Sequence, residues 1–166
     1  MPELPEVETV VRSLRPVVLN KTVAEAAVYY QRILQGISPP QFLRILQGNR
    51  FLALKRRGKY LLFTLEKQWI LVAHLRMTGR LLYVSSQSIP LAKHTSLVFN
   101  FEKGDALRFE DVRKFATVNL APRSRLGELK GLSTLGLDPL TPDFSFAAFR
   151  KVLENSSTKI KALLLD

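Results

Sequence analysis

The first segment of the chain has apolar residues at intervals of three and four. These residues are Leu4, Val7, Val11, Leu14 and Val18. Such spacing places them on one face of a helix. Glutamates stand in the first turns and arginines later, in the order that the helix dipole favours. We therefore predict a helix over residues 2–19, kinked or ended by Pro16.

The next hundred or so residues consist of short apolar runs separated by turn residues. We predict strands over residues 22–30, 51–55, 60–65, 69–75, 80–84, 96–101, 106–110 and 115–120, and a short helix over residues 39–47. Three hairpins are expected, with turns at 56–59, 76–79 and 102–105. Many short strands with turn signals between them predict a mainly β fold with flanking helices, a β-sandwich or barrel.

After residue 120 the pattern becomes helical. We predict a basic helical stretch over 123–131, a linker at 135–140, and helices over 143–153 and 158–165. The last apolar face stops at Asp166 without a cap, so we expect the chain to be a fragment. Two domains follow from this pattern: a β-domain with its N-terminal helix over 1–134, and the start of a helical domain over 135–166.

Composition narrows the functional classes. Lysine and arginine total 25 against 14 acidic residues, which gives a net charge of +11. This charge indicates a polyanionic partner such as nucleic acid; the alternatives are a ribosomal role, a membrane-surface role or solubility alone. The chain has no cysteine, which excludes disulfides and thiolate metal sites. Two histidines are too few for a closed structural zinc site. No apolar run is long enough for a membrane span, and the composition is typical of a cytosolic protein.

The start of the chain is a candidate nucleophile. Methionine is generally removed before a small residue, which would leave Pro2 with a free secondary amine of pKa near 8. The positive end of a helix dipole lowers that pKa, so the amine is substantially neutral near pH 7, as a nucleophile must be. An amine of this kind that attacks a sugar C1′ forms an iminium, which accepts electrons in a later elimination. The structural alternative is that proline and glutamates are simply favoured at a helix start.

A second candidate feature is a run of basic residues around the turn at 56–59. It consists of Arg50, Lys55, Arg56, Arg57 and Lys59, with no acidic residue between its ends. Such a run is either a solvated face or a surface that follows a phosphate backbone. Its place on a hairpin beside the candidate nucleophile favours the phosphate-binding interpretation.

Several strings resemble one family in order along the chain. PELPEVET at residues 2–9 resembles the opening of the formamidopyrimidine-DNA glycosylase and endonuclease VIII family. RGKYLL at 57–62 is similar to the family's catalytic-lysine hairpin, HLRMTG at 74–79 to its histidine–methionine loop, and DVRKF at 111–115 to its arginine–phenylalanine loop. LGLDPL at 135–140 resembles the interdomain linker, and IKALLLD at 160–166 the entry to a helix–two-turn–helix domain. The resemblance spans the whole chain but only the first part of the family's length. It implies a two-layer β-sandwich with flanking helices, followed by the start of a helical domain.

The resemblance implies four catalytic roles. Pro2 is expected to attack C1′, and Glu3 to protonate the sugar ring oxygen as the iminium forms. Glu6 is expected to orient the amine, since residues three apart share a helix face. Lys59 is expected to bind a phosphate beside the lesion. The alternative for Lys59 is a solvated turn lysine.

The resemblance also implies how DNA is held. Met77 and Phe115 are expected to fill the gap left by a flipped base, and Arg113 to hydrogen-bond the orphaned opposite base. The alternative is that Met77 and Phe115 are ordinary core residues. Further expected DNA contacts are His74, with a structural role as its alternative, and Arg57, Lys114 and His94.

The function implied is excision of oxidised purines, formamidopyrimidines and 8-oxoguanine, followed by β,δ-elimination at the abasic site. Alternatives are an endonuclease VIII-like enzyme for oxidised pyrimidines and a non-catalytic nucleic-acid-binding β-domain. The expected partner is damaged double-stranded DNA, bound by a monomer in the bacterial cytosol and with no membrane. No cofactor is expected in this chain, because the family's zinc finger lies in a later domain.

The chain departs from the family pattern at two positions. Arg76 stands where the family usually has glycine, and Val112 where it usually has proline. Neither position carries a catalytic role in this interpretation. Because the helix–two-turn–helix and zinc-finger parts are not in the sequence, we expect the chain alone to bind DNA weakly and to cut it poorly.

Overall fold

A computed structural model describes residues 2–165 of the chain, without the side chains of the last two of these. The expectations about removal of Met1 and about the chain end at Asp166 fall outside the described residues. The helices are α1 (Leu4–Val18), α2 (Pro39–Leu46), α3 (Phe146–Glu154) and α4 (Ile160–Leu165). The strands are β1 (Val23–Val28), β2 (Leu34–Gln35), β3 (Phe51–Arg57), β4 (Tyr60–Leu65), β5 (Trp69–His74), β6 (Gly79–Val84), β7 (Thr95–Phe101), β8 (Ala106–Asp111) and β9 (Thr117–Pro122).

The strands form two sheets that pack face to face. One has the order β1-β7-β8-β6 and the other β2-β9-β5-β4-β3. Phe51 of one sheet lies with its ring 5.9 Å from Phe99 and 5.8 Å from Phe101 of the other. All three phenylalanines are buried, so the core lies between the sheets. The predicted two-layer β-sandwich with flanking helices is confirmed.

One of the three predicted hairpins is wrong. β3 pairs with β4 and β7 with β8, as predicted, but β5 and β6 lie in different sheets. β5 is buried at every residue after Trp69 and has β4 and β9 on its two edges, so no edge remains for β6. The turn after β5 therefore carries the chain from one sheet to the other, where β6 pairs with β8.

The first helix begins later than predicted and continues through Pro16. Its buried residues are Val7, Val11, Leu14 and Val18, four of the five apolar positions predicted. The prediction that Pro16 ends the helix is wrong, because the proline lies in the last turn, where one lost hydrogen bond is tolerated and Leu19 N still donates to Arg15 O at 3.3 Å.

The later helical predictions need smaller corrections. The basic stretch predicted at 123–131 is a 3₁₀ helix over Arg123–Glu128 instead of an α-helix. The helix predicted at 143–153 is α3, which starts later because Ser145 caps it by accepting a hydrogen bond from Ala148 N at 3.1 Å.

A buried guanidinium joins α1, β3 and the segment 135–140. The side chain of Arg56 is 4% exposed and its Nη1 lies 2.7 Å from Asp138 Oδ2, while its Nε lies 3.1 Å from Glu8 Oε2. The second nitrogen, Nη2, donates to Asp138 Oδ1 at 3.0 Å, so this contact is bidentate. The hydrogen bond from Arg56 is the main cause that lowers the pKa of Asp138 below its ordinary value. Segment 135–140 is thus fixed on the β3–β4 turn.

The prediction from this network concerns Asp138→Asn. The substitution leaves a buried guanidinium with one carboxylate fewer, and we expect it to lower the free energy of unfolding by about 3 kcal/mol. Urea denaturation measures this difference. The control is Glu154→Gln, which breaks an exposed pair with Arg150 and is expected to cost less than about 0.5 kcal/mol. Equal losses in the two variants would contradict the role given to Asp138.

Candidate functional site

The start of α1 and the turn between β3 and β4 meet at an ion pair. Lys59 Nζ lies 2.7 Å from Glu3 Oε2, and Glu6 Oε2 accepts a hydrogen bond from Glu3 N at 2.6 Å. Three residues predicted as catalytic are therefore close together. Lys59 is 30% exposed and is paired with Glu3; its expected role as a phosphate contact and the alternative of a solvated turn lysine both stay predictions.

The turn that presents Lys59 is tighter than predicted. Arg57 pairs with Tyr60, which leaves two residues, Gly58 and Lys59, in the turn. Gly58 has φ +56°, the left-handed region that hairpin turns reserve for glycine at this place. A Cβ on Gly58 would also lie 3.1 Å from Leu135 Cδ1, so the turn is covered by segment 135–140. Lys59 thus contacts Glu3, and the glycine that precedes it in the turn is covered by segment 135–140.

The basic run around this turn is not one continuous surface. Because side chains alternate along a strand, Arg56 faces α1 and segment 135–140 and is buried there. Arg50 is paired with Glu66 at 2.5 Å. Arg57 stays at the surface, where its Nη2 donates to Gly136 O at 3.0 Å, and Lys55 is exposed. The interpretation of an unbroken phosphate-binding run is therefore wrong for Arg56, whose side chain is 4% exposed, and stays a prediction for Arg50.

His74 ends β5 and is 7% exposed. Its Nδ1 accepts a hydrogen bond from Arg76 N at 3.0 Å, and its ring meets the Tyr60 ring edge to face, with centroids 4.6 Å apart. Burial, with the positive charges of Arg76 and Lys59, lowers the pKa of His74 to about 4. The imidazole is thus neutral near pH 7 with its proton on Nε2, so it can donate a hydrogen bond without carrying a charge.

Two neighbouring loops present apolar side chains to solvent. Met77 is 43% exposed and Phe115 is 53% exposed, which excludes the alternative that they are core residues. Each follows a non-glycine residue with positive φ: Arg76 at +53° and Lys114 at +59°. Such a conformation costs about 1 kcal/mol per residue. The guanidinium of Arg113 lies 4.8 Å from the centre of the Phe115 ring.

One buried carboxylate connects the two loops. Asp111 is 1% exposed; its Oδ1 accepts hydrogen bonds from Thr78 Oγ1 at 2.5 Å and Arg113 N at 3.2 Å, and its Oδ2 accepts from Ala116 N at 2.8 Å. Thr78 belongs to the Met77 loop, and the other two partners flank Phe115. Sequence analysis assigned no role to Asp111 or Thr78, since a buried acceptor with partners from two loops leaves no periodic signal.

Lys114 and His94 make contacts within the protein. Lys114 Nζ donates to His94 O at 3.1 Å and to Ser96 Oγ at 2.9 Å, and lies 5.2 Å from the Tyr30 ring centre. His94 O also accepts from Asp111 N at 3.0 Å. The Lys114 charge is thus already engaged, and the role of both residues as DNA contacts stays a prediction.

An open cleft of about 530 Å³ lies beside these loops. Its wall includes the tips Met77 and Phe115, the ring of Tyr30, and the cations Arg32, Arg76 and Lys114, with no acidic residue. A concave surface with cations, apolar tips and no carboxylate is suited to an anionic partner with apolar parts.

Some kinds of site are absent from residues 2–165. No three histidine, aspartate or glutamate side chains gather there as a metal site would require, and the chain has no cysteine, so a zinc site of the finger type does not fit these residues. Among the same residues, no helix has both the length and the apolar character that a bilayer span requires.

Comparison with known proteins agrees with this geometry. Residues 1–118 match the model of the formamidopyrimidine-DNA glycosylase N-terminal domain. The chain is 43% identical over its whole length to a formamidopyrimidine-DNA glycosylase of Moorella thermoacetica, of which it covers 60%. The chain thus spans about three-fifths of the length of this relative.

Solved structures of a bacterial relative are similar as well. The structure of Lactococcus lactis formamidopyrimidine-DNA glycosylase bound non-covalently to DNA with an abasic site superimposes with a TM-score of 0.88 at 33% identity, covering 99% of this chain and 62% of that one. A second structure holds the same wild-type enzyme with DNA that contains an oxidised pyrimidine, with the same TM-score and identity, and covers 99% of this chain and 60% of that one.

The state of His74 predicts a pH dependence of stability. Between pH 6.5 and about 4, the unfolded chain binds a proton that the folded chain does not, so stability falls as the pH decreases through this window. The loss approaches about 3 kcal/mol at its acid end. The carboxylates whose pKa the fold lowers, such as Glu3 and Asp138, bind protons in the unfolded chain near their ordinary values of 4.5 and 3.8, so they add to the loss at the acid end of this window. Urea unfolding at a series of pH values measures the effect.

The matched variants for this measurement are His74→Gln and His94→Gln. Glutamine at 74 keeps an acceptor for Arg76 N but does not titrate, so the dependence above about pH 4.5 should flatten. The His94 variant should keep the slope of the unmodified chain. A slope that survives in His74→Gln would show that another group causes it.

The role of Asp111 predicts that Asp111→Asn loosens both loops. An amide nitrogen replaces one acceptor and faces a donor, which should cost about 1–3 kcal/mol of stability. Limited trypsin digestion should then cleave after Arg113 and Lys114 faster, relative to cleavage after Arg123. The control is Asp143→Asn, an exposed aspartate. Unchanged cleavage at the Phe115 loop would refute the connection between the loops.

Proposed function

Because the chain belongs to the formamidopyrimidine-DNA glycosylase family, we propose that it carries the catalytic residues of a DNA glycosylase and abasic-site lyase. The observation that supports this most directly is the contact of 2.7 Å between Lys59 Nζ and Glu3 Oε2 at the start of α1. It brings a phosphate-binding type of side chain next to the carboxylate of Glu3, the residue that follows Pro2. The proposed substrate is duplex DNA with an oxidised purine, a formamidopyrimidine or 8-oxoguanine.

The first step uses the amine that Pro2 exposes once Met1 is removed. The nitrogen attacks C1′ and the bond from C1′ to the damaged base breaks, so that the base leaves with the electron pair and takes up a proton. The nitrogen then loses its own proton while the bond from C1′ to the ring oxygen opens, and Glu3 protonates that oxygen. The product is an iminium between Pro2 and the opened sugar. α1 begins at Leu4, so its dipole supports a neutral amine.

Lys59 and Glu3 have coupled roles in this scheme. The hydrogen bond with Lys59 is the main cause that lowers the pKa of Glu3, so the free carboxyl is ionised. When a DNA phosphate takes the ammonium group, Glu3 loses this partner and its pKa rises. Binding of the lesion strand thereby favours the protonated acid that opening of the sugar ring requires.

Strand cleavage follows from the iminium, which accepts electrons. Removal of a C2′ proton lets the 3′ phosphate leave with its bonding electrons, and removal of a C4′ proton then lets the 5′ phosphate leave. Lys59 balances charge on the departing phosphate. The product is a gap with phosphate at both ends.

The exposed tips support access to the base. A base in duplex DNA is reached only after it is turned out of the stack. Met77 and Phe115 are exposed apolar groups suited to enter the vacated space, and Arg113 lies over the Phe115 ring, from which it can reach the opposite base. A second candidate substrate is an oxidised pyrimidine, since the similar Lactococcus lactis enzyme has been captured with DNA of that kind.

Borohydride trapping tests the proposal. The chain is incubated with duplex DNA that contains an abasic site, reductant is added, and a covalent adduct is sought on a denaturing gel. We expect an adduct with the free N-terminus and none after acetylation of Pro2. Parallel duplexes with 8-oxoguanine or an oxidised pyrimidine identify the preferred lesion.

Lysine variants separate the nucleophile from the phosphate contact. Lys59→Gln should still trap, because the iminium forms at Pro2, but should slow strand cleavage by roughly 100-fold. Lys103→Gln, in the turn between β7 and β8, is the matched control and should leave both reactions unchanged. The chain, with its free Pro2 confirmed by mass spectrometry, is also tested together with the C-terminal part of a relative. If no covalent adduct forms with or without that part, the result would favour a non-catalytic DNA-binding domain.

A further inference from the structure

Arg76 and Lys114 adopt the same unfavourable backbone conformation but have different surroundings. Both have positive φ and both directly precede an exposed apolar tip. Lys114 makes three contacts that stabilise its position, with His94 O, Ser96 Oγ and the ring of Tyr30. Its conformation is therefore explained by the fold.

No contact of the Arg76 side chain explains the conformation of this residue in the same way. The backbone N–H of Arg76 donates to His74 Nδ1 at 3.0 Å, but within residues 2–165 its side chain has neither a hydrogen bond nor an acidic group within 4 Å. The residue is exposed and lines the cleft beside Met77. A strained position whose side chain adds nothing to the fold is a reason to ask what ligand it serves.

The cleft indicates the chemistry of that ligand. Arg32 and Lys114 line it together with Arg76, and no carboxylate does, so its potential is positive. A guanidinium binds phosphate through two parallel N–H groups, which adds geometric specificity to the attraction between the charges. The neighbouring tips are apolar, which suits a ligand that alternates anionic and flat apolar parts. Nucleic acid has this composition.

We propose that Arg76 binds a backbone phosphodiester of the DNA beside the point where Met77 enters the duplex, with Arg32 adding to the positive potential. This inference rests on the proposed function, in which Met77 enters the stack. Arg76 directly precedes Met77, and consecutive Cα atoms lie about 3.8 Å apart. The Arg76 side chain is therefore expected to reach the strand backbone next to the base step that Met77 opens. The contact fixes the depth and register of the Met77 loop.

The test is the salt dependence of binding to a duplex with an abasic site, measured by fluorescence anisotropy with the full chain. Each phosphate neutralised adds about 0.9 to the slope of log affinity against log salt. We expect Arg76→Gln to lower that slope by about one and to lower affinity roughly tenfold at low salt. Arg76→Lys should keep the slope, because an ammonium group still neutralises one phosphate.

The control removes one positive charge elsewhere. Lys103 lies at the opposite end of β8 from Asp111 and the loops, roughly 20 Å away by strand length. Lys103→Gln should leave the slope of the unmodified chain. Thermal melts of all three variants should match, since none of these side chains makes a contact that the fold needs.

Three results would overturn the inference. A slope for Arg76→Gln equal to that for Lys103→Gln means that no phosphate is bound there. A loss in Arg76→Lys as large as in Arg76→Gln, dependent on the base sequence, means a base contact instead. If the unmodified chain neither binds the duplex at low salt nor forms the trapped adduct, both the inference and the proposed function fail; trapping without the Arg76 effect refutes the inference alone.

Discussion

The guanidinium of Arg56 is the constraint on which the site depends. A buried positive charge must be surrounded by acceptors, and here Glu8 of α1 and Asp138 of segment 135–140 supply them. Because Arg56 itself belongs to β3, this requirement fixes the distance between the helix start and the hairpin. Glu3 and Lys59 lie at the free ends of these two elements, so their contact follows from the buried pair behind them.

The fold was predictable where the spacing of apolar residues or a glycine turn determines the local structure. Spacing of three and four located α1, and glycine turns located the hairpins of β3 with β4 and β7 with β8. The same reasoning failed at β5 and β6, because adjacency in sequence does not reveal that both edges of β5 are occupied by other strands. It failed again at Arg56, because the sequence of a basic run does not show whether a strand side chain faces water or α1.

The sequence identified candidate residues of the site but not their geometry, and the roles of these residues stay predictions. Resemblance selected Glu3, Lys59, Met77 and Phe115, yet the conformations that present the two tips became visible only in three dimensions. Positive φ at Arg76 is consistent with the glycine expected there from the resemblance, since glycine adopts this region without strain. Asp111 was missed for a related reason: its partners come from two loops, and no spacing along the chain connects them.

Rigid presentation of the tips matters for how they can act. A side chain that enters a base stack loses conformational freedom, and a mobile loop would lose more on binding than a fixed one. Hydrogen bonds from both loops to Asp111, with the contacts of Lys114, order the loops without a ligand. In the proposed function, opening of the duplex would then be opposed mainly by the unstacking of the bases. The positive φ of Arg76 and Lys114 is the local conformational cost of that order.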